Sequence, residues 1–214
     1  MKWRIRLNKE NLDEAVAAAS GILKRGGVII YPTDTLYGLG ADAFSDKAVE
    51  KIYEIKGREG DKPIHAAVKD LGMAEQYAEI TGLARKLTDA FWPGPLTLVL
   101  KRHKEVRAGI AKKIPTIGIR VPNDKFCLAL CSKFGGLFTA TSANKSGLPP
   151  PRSIGKILEQ LGPKASLIDL IIDAGELPPR APSTVVDVSG ARPIIVREGA
   201  IPSADIWNEL RSEL

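Results

Sequence analysis

Residues 26–45 read GGVIIYPTDTLYGLGADAFS, and this stretch decides the fold class. Val28–Tyr31 is a short apolar run between a glycine pair and a proline, the pattern of a buried strand. The glycines at Gly38 and Gly40, followed by Ala43, imitate the G-x-G-x-x-A dinucleotide fingerprint. That fingerprint needs its glycines at the strand-to-helix turn, with the helix opening at once. Here PTDTLY intervenes after the strand, and the next helix waits for Ser45. The match is accidental, and the chain is read as α/β without a dinucleotide site.

Working outward, helices and strands alternate to both ends. Asn11 and Glu14 have the spacing of a capping box, and Leu12, Ala15, Val16, Ala19 and Leu23 then recur on one helical face. Ser45 is the expected cap of a helix presenting Val49, Ile52 and Ile55. A strand is expected over 64–68, two short helices capped by Asp70 and Thr81, and strands in LTLVLK and TIGIRV. A helix follows over about 124–134, then a strand over 137–141, a helix over 154–161 and a strand over 167–173. STVVDV and PIIVR complete the strands, and Pro202 and Ser203 open a last helix. The expected architecture is one α/β domain over residues 1–214, an open mixed sheet with flanking helices.

The chain has 214 residues, 44% hydrophobic and 26% charged, the composition of an ordinary globular domain. No apolar run is long enough to span a bilayer, and the N-terminal residues turn polar too soon for a secretory leader. Two cysteines without a leader point to free thiols in a reducing compartment, so a cytoplasmic location is expected. The net charge of +6 suits either an anionic ligand or a scatter of exposed lysines, and no basic run separates the two.

Three further motifs fail on physical grounds. Ser142 and Lys145 fit S-x-x-K, but SGLPPP directly afterwards cannot continue the helix that would align them. Cys127 and Cys131 sit with Leu130 and Phe134 on one helical face and read as core, not as ligands. There is no G-x-x-x-x-G-K-[ST] loop. No protein ligand set for a metal is expected.

What remains are polar segments that follow strands, where open α/β sheets place their ligands. They are YPTDTLYGLG (31–40), KGREGDKP (56–63), TATSANKSG (139–147) and APSTVVD (181–187) followed by VREGAI (196–201), and WPGPLTLVL (92–100) and TIGIRVP (116–122) stand between the second and third. In order and spacing they resemble the YrdC-like family of threonylcarbamoyl-adenylate synthases, from about Gly26 to Ile201. The resemblance implies an open, twisted α/β sheet with a large concave cleft. It also implies formation of threonylcarbamoyl-adenylate and pyrophosphate from L-threonine, bicarbonate and ATP with Mg2+. A partner complex would then transfer the threonylcarbamoyl group to tRNA.

Carried over residue by residue, the resemblance assigns Lys56 and Arg58 to catalysis. It places ATP on Arg58, Lys62, Thr116, Ser142, Asn144, Pro150 and Arg197. Threonine falls to Thr35, Ala67, Arg120, Ala140 and Ser183, with Arg120 gripping the carboxylate by paired charge-assisted bonds. Plainer readings stand beside these: a structural ion pair for Arg120, a turn bond for Thr35, a strand-end cap for Ser183 and an Asx-type loop bond for Asn144. His65 stands where members of the family often have an apolar residue, some carrying a histidine near Ala67 instead, and the base that deprotonates the threonine amine stays unassigned. Two other functions compete: a non-catalytic RNA-binding module, and a relative acting on a different carbamoyl or acyl substrate.

Overall fold

The computed structural model describes residues 3–58 and 63–211. In chain order its elements are β1 (Trp3–Arg6), α1 (Leu12–Lys24), β2 (Ile29–Tyr31), β3 (Gly38–Gly40), α2 (Asp46–Lys56) and β4 (Ala66–Ala67). Next come α3 (Leu71–Glu75), α4 (Gly82–Phe91), β5 (Leu96–Lys101), β6 (Thr116–Arg120), α5 (Lys125–Phe134), β7 (Phe138–Thr139) and β8 (Thr141–Ser142). The chain closes with α6 (Ile154–Leu161), β9 (Leu170–Asp173), β10 (Thr184–Asp187), β11 (Ile194–Arg197) and α7 (Ser203–Leu210).

The strands divide between two open sheets, ordered β1-β9-β2-β3-β8 and β11-β10-β5-β6-β4-β7. Each mixes parallel and antiparallel pairs: β2 runs parallel to β9 and antiparallel to β3, and β6 runs parallel to β4 and antiparallel to β5. The mixed character expected from the sequence is present, spread over two sheets. GLG at 38–40 is a strand paired with β2, so the fingerprint reading fails in the folded chain too.

Local chemistry explains most element ends. Ser45 Oγ accepts from the Ala48 amide at 3.3 Å, Asp70 Oδ1 from Met73 at 2.7 Å and Thr81 Oγ1 from Ala84 at 3.2 Å. These side chains satisfy amides that the first helical turn leaves without partners. The expected capping box at Asn11 does not form. Its side chain turns back, accepting from the Asn8 amide at 2.9 Å and donating to the Arg6 carbonyl at 2.8 Å.

Two apolar clusters hold the layers together. One packs α2, α4, α6 and α7 against both sheets through Ile52, Leu87, Ile157 and Ile206. The other packs α1 and α5 against β2 and β9 through Leu23, Phe126, Leu130 and Ile172, with Cys127 and Cys131 buried among them. Both cysteines are free thiols whose pKa burial pushes up, which agrees with their reading as core. Among the described residues, no helix is long and apolar enough to cross a membrane.

The fold creates one seam of special consequence. Phe138–Thr139 pair in the second sheet and Thr141–Ser142 in the first, so the chain changes sheets at Ala140. The expected single strand over 137–141 is split at that residue. Ala140 donates its amide to the His65 carbonyl at 2.7 Å, stitching the second sheet's edge to the crossover.

Candidate active site

A cleft of about 320 Å³ opens at this seam. Its walls come from the segment after β2, the end of α2, β6, the 140–150 crossover loop, and the strand pair β10–β11. Thr35, Lys56, Arg58, Arg120, Ala140, Ser142, Asn144, Pro150, Ser183 and Arg197 all line it. Residues up to 166 positions apart in sequence (Tyr31 and Arg197) thus share one cavity, including the three cations on which a joint polyanion and carboxylate site depends.

Lys56 ends α2 and is 2% exposed. Its ammonium donates to the Ser142 carbonyl at 2.5 Å, the Asn144 carbonyl at 3.1 Å and Asn144 Oδ1 at 3.0 Å. An ammonium has three hydrogens, and three neutral oxygens take them. Burial, with a smaller push from Arg58, lowers its pKa to about 7. Lys56, which the resemblance assigns to catalysis, spends its donors here on pinning the crossover loop.

Asn144 completes the pin. Its Oδ1 also accepts from Ser142 Oγ at 2.6 Å, and its Nδ2 donates to the carbonyls of Lys145 at 3.0 Å and Leu148 at 2.6 Å. The amide is saturated by its own loop, which favours the loop-fixing reading of this residue.

Arg58 is the reverse case. Gly57 takes the left-handed conformation, φ 61°, which ends α2 and turns the chain so that Arg58 faces the cleft. The guanidinium lies 5.4 Å from the centre of the Tyr53 ring, and its Nε is buried without a hydrogen-bond partner among the described residues. Burial holds its pKa below the ordinary arginine value. A buried donor with no partner is costly, and an anion supplies what it lacks. Arg197 stands at the opposite rim, donating to the Ser183 carbonyl at 2.7 Å and to Ser183 Oγ at 3.2 Å. Ser183 in turn shares a 2.9 Å hydrogen bond with Thr97 Oγ1.

Arg120 closes β6 and is 7% exposed. Its Nε donates to the Gly94 carbonyl at 2.9 Å and its Nη1 to Thr35 Oγ1 at 2.9 Å. Its Nη2 donates to both oxygens of Asp34 at 2.6 Å. The ion pair weighed from sequence as the plainer alternative is thus present. Thr33 shapes the turn beneath it, its hydroxyl accepting from the amides of Thr35 and Leu36.

Two expected site residues lie elsewhere. Ala67 is 1% exposed and packs with Tyr31 and Phe138 in the core, because the inward face of so short a strand has no opening to the cleft. Thr116 begins β6 opposite Lys101, at the far end of the strand from Arg120. Lys62 falls outside the described residues. The described lining carries hydroxyls, carbonyls, an imidazole and cations, but no carboxylate. This donor set does not fit a protein-held magnesium ion, which seeks carboxylate oxygens. Among the described residues there is likewise no cluster of three or more potential metal ligands.

The profile of the Sua5/YciO/YrdC family, described as "Telomere recombination", matches residues 21–199. The chain belongs to the Sua5/YciO/YrdC family. A Methanocaldococcus jannaschii family member is 37% identical over 196 residues, covering 92% of this chain and 91% of its own. The Pyrococcus abyssi protein named threonylcarbamoyl-AMP synthase is 36% identical over 92% of this chain, which spans 58% of that longer relative. The structure of Pyrococcus abyssi Sua5 complexed with L-threonine superposes with a TM-score of 0.84 at 34% identity, covering 98% of this chain and 60% of the other.

Within this Sua5/YciO/YrdC fold, sequence reasoning missed several lining residues: Tyr31, Thr33, Tyr37 and Gly38. Their signal was their place in YPTDTLYGLG, but only Thr35 was drawn from it. Asp34 was missed as the partner of Arg120. His65, left without a role, also lines the cleft.

Proposed function

We propose that this protein forms threonylcarbamoyl-adenylate and pyrophosphate from L-threonine, bicarbonate and ATP. The observation that carries the reading is the cleft itself. It sets Arg58, whose Nε has no partner among the described residues, and Arg197 in one cavity with a buried, bidentate-capable Arg120, in a chain 98% covered by a threonine-bound relative.

The division of labour follows from the geometry. Arg58 and Arg197 take the triphosphate, where their fixed charges stabilise the pyrophosphate as it leaves. Arg120, Thr35 and Ser183 hold threonine, with the substrate carboxylate competing for the guanidinium that Asp34 occupies. Ala140 offers a small side chain where the chain changes sheets. Lys56 and Asn144 act by holding the Ser142–Leu148 loop, and with it Ser142 and Pro150, against the nucleotide. Reaction then proceeds by positioning: a carbamate oxygen attacks the α-phosphorus and the bond to pyrophosphate breaks. Magnesium would come as part of the nucleotide substrate, held by no side chain of the described lining, and would supply charge neutralisation to the phosphates. The reading extends to a cytoplasmic setting and to a partner complex that passes the threonylcarbamoyl group to tRNA.

The test is incubation of purified protein with ATP, magnesium, bicarbonate and labelled threonine, resolving the adenylate and pyrophosphate. Product that requires both threonine and bicarbonate is expected. Pyrophosphate release that is indifferent to threonine, or replacement of threonine by serine at equal rate, overturns the assignment.

A further inference from the structure

We propose that His65 is the proton acceptor of this cleft, switched on when a polyphosphate offsets the two guanidiniums that flank it. The inference rests on the synthase reading for its reaction and on independent geometry for its location.

His65 immediately precedes β4 and lines the cleft. Its ring lies against β6 at Gly118, where any Cβ would collide with the imidazole Cδ2. A glycine in the middle of a strand normally weakens it, and here it makes room for the ring. Arg120 follows Gly118 by two positions and so projects from the same face of β6, about 7 Å along the strand. The imidazole therefore shares the cleft with the polyphosphate cations and one face of β6 with the residue assigned to the amino-acid carboxylate, next to which the amine must lie.

The charges around it are of one sign. From the end of α2 come Lys56 and Arg58, from β11 Arg197, and from β6 Arg120; Tyr31 and Tyr37 complete the titratable lining. The Asp34 carboxylate, which is not among the residues lining the cleft, is committed to Arg120. Burial, then Arg197 and Arg58, lower the His65 pKa to about 4. In the free protein the imidazole is neutral at physiological pH and a weak base. A bound triphosphate brings several negative charges to Arg58 and Arg197, which reverses the sign of the local field and raises the basicity of the ring.

The chemistry has a proton to place. Threonine's ammonium and bicarbonate give the carbamate, one water and one proton: the C–N bond forms, a C–O bond breaks, and the proton passes to a lone pair of the His65 ring. The carbamate then attacks the α-phosphorus and pyrophosphate leaves. With its departure the two guanidinium charges return, and the imidazolium releases its proton to solvent. Coupling basicity to nucleotide keeps the free site from consuming threonine and bicarbonate unproductively.

The chain has two histidines, so proton NMR resolves the question with an internal control. The C2 protons of His65 and His103 are titrated with and without magnesium pyrophosphate, His65→Gln supplying the assignment. The expected result is a rise of the His65 pKa by more than one unit on saturation, with His103 unmoved. Calorimetry that shows pyrophosphate bound while the His65 pKa stays in place overturns the proposal, as does a protein that binds no polyphosphate. In the synthase assay, His65→Gln is expected to lower kcat at least tenfold with pyrophosphate affinity kept within threefold. Wild-type kcat in that variant also overturns it. A nucleotide-dependent pKa rise in a protein that makes no adenylate supports the switch and discards the synthase reading, so the two fail separately.

Discussion

Asp34 and Arg120 form an ion pair behind the wall of the cleft that Arg120 lines, with Nη2 2.6 Å from both carboxylate oxygens and each side chain about one-tenth exposed. A buried guanidinium left unpaired costs about 3–5 kcal/mol. Asp34→Asn is therefore expected to lower Tm, while threonine raises the Tm of the variant more than that of the wild type, because the ligand's carboxylate supplies the missing charge. Thermal scans with and without threonine check this. An equal threonine effect in both proteins would show that the ligand does not reach Arg120.

The Lys56 pin makes a different prediction. Lys56→Met removes the donor for three oxygens of the 142–144 loop and leaves buried acceptors unsatisfied, at about 1–3 kcal/mol for each group that water cannot reach. Reduced stability and a raised KM for ATP are expected together. Lys56→Arg is expected to rescue neither, since a planar fork cannot meet three oxygens converging on one point. Steady-state kinetics beside denaturant unfolding test the coupling.

Arg58 contrasts with Lys56 because its Nε has nothing to lose in the free protein. Arg58→Ala is expected to keep Tm within about 2 °C, which corresponds to a change of less than ~1 kcal/mol in a domain of this size. Turnover should fall at least a hundredfold, about 2.7 kcal/mol of transition-state stabilisation. Near-wild-type turnover in a folded variant would remove Arg58 from the phosphate site.

The pH dependence of stability follows from His65. Its folded pKa of about 4 lies below the unfolded value near 6.5, so between those pH values the unfolded chain binds more protons. Stability then falls as pH drops from about 6.5 to 4, by on the order of 2–3 kcal/mol from this group. His65→Gln should flatten that limb in urea titrations at stepped pH. An unchanged slope would mean that the imidazole is not held neutral.

Much of this was legible in the sequence, where the determinants are local. The caps at Ser45, Asp70 and Thr81 were readable because each bond spans three residues. The apolar faces of α1 and α5, with both cysteines in the core, followed from helical periodicity. The rejection of GLG as a fingerprint followed from its distance to the next helix, although its own strand did not. β1 was missed as well, since four residues carry too little alternation to stand out. The Asn11 box failed because a competing turn around Asn8 took the side chain.

What the sequence determined by itself was most of the elements, the polar segments that interrupt them and, through the order of those segments, the family. Tertiary structure alone decided what the polar side chains do. Lys56 and Asn144 stand 88 positions apart, and so do not reveal in sequence that Asn144 takes two of the three Lys56 ammonium hydrogens. Arg120 meets Asp34, and His65 rests on Gly118, for the same reason: each partner is set by strand register and by the change of sheets at Ala140. A residue's type fixes what it can bind, but the oxygens and charges within about 3–4 Å in the folded chain fix what it has left to offer a ligand.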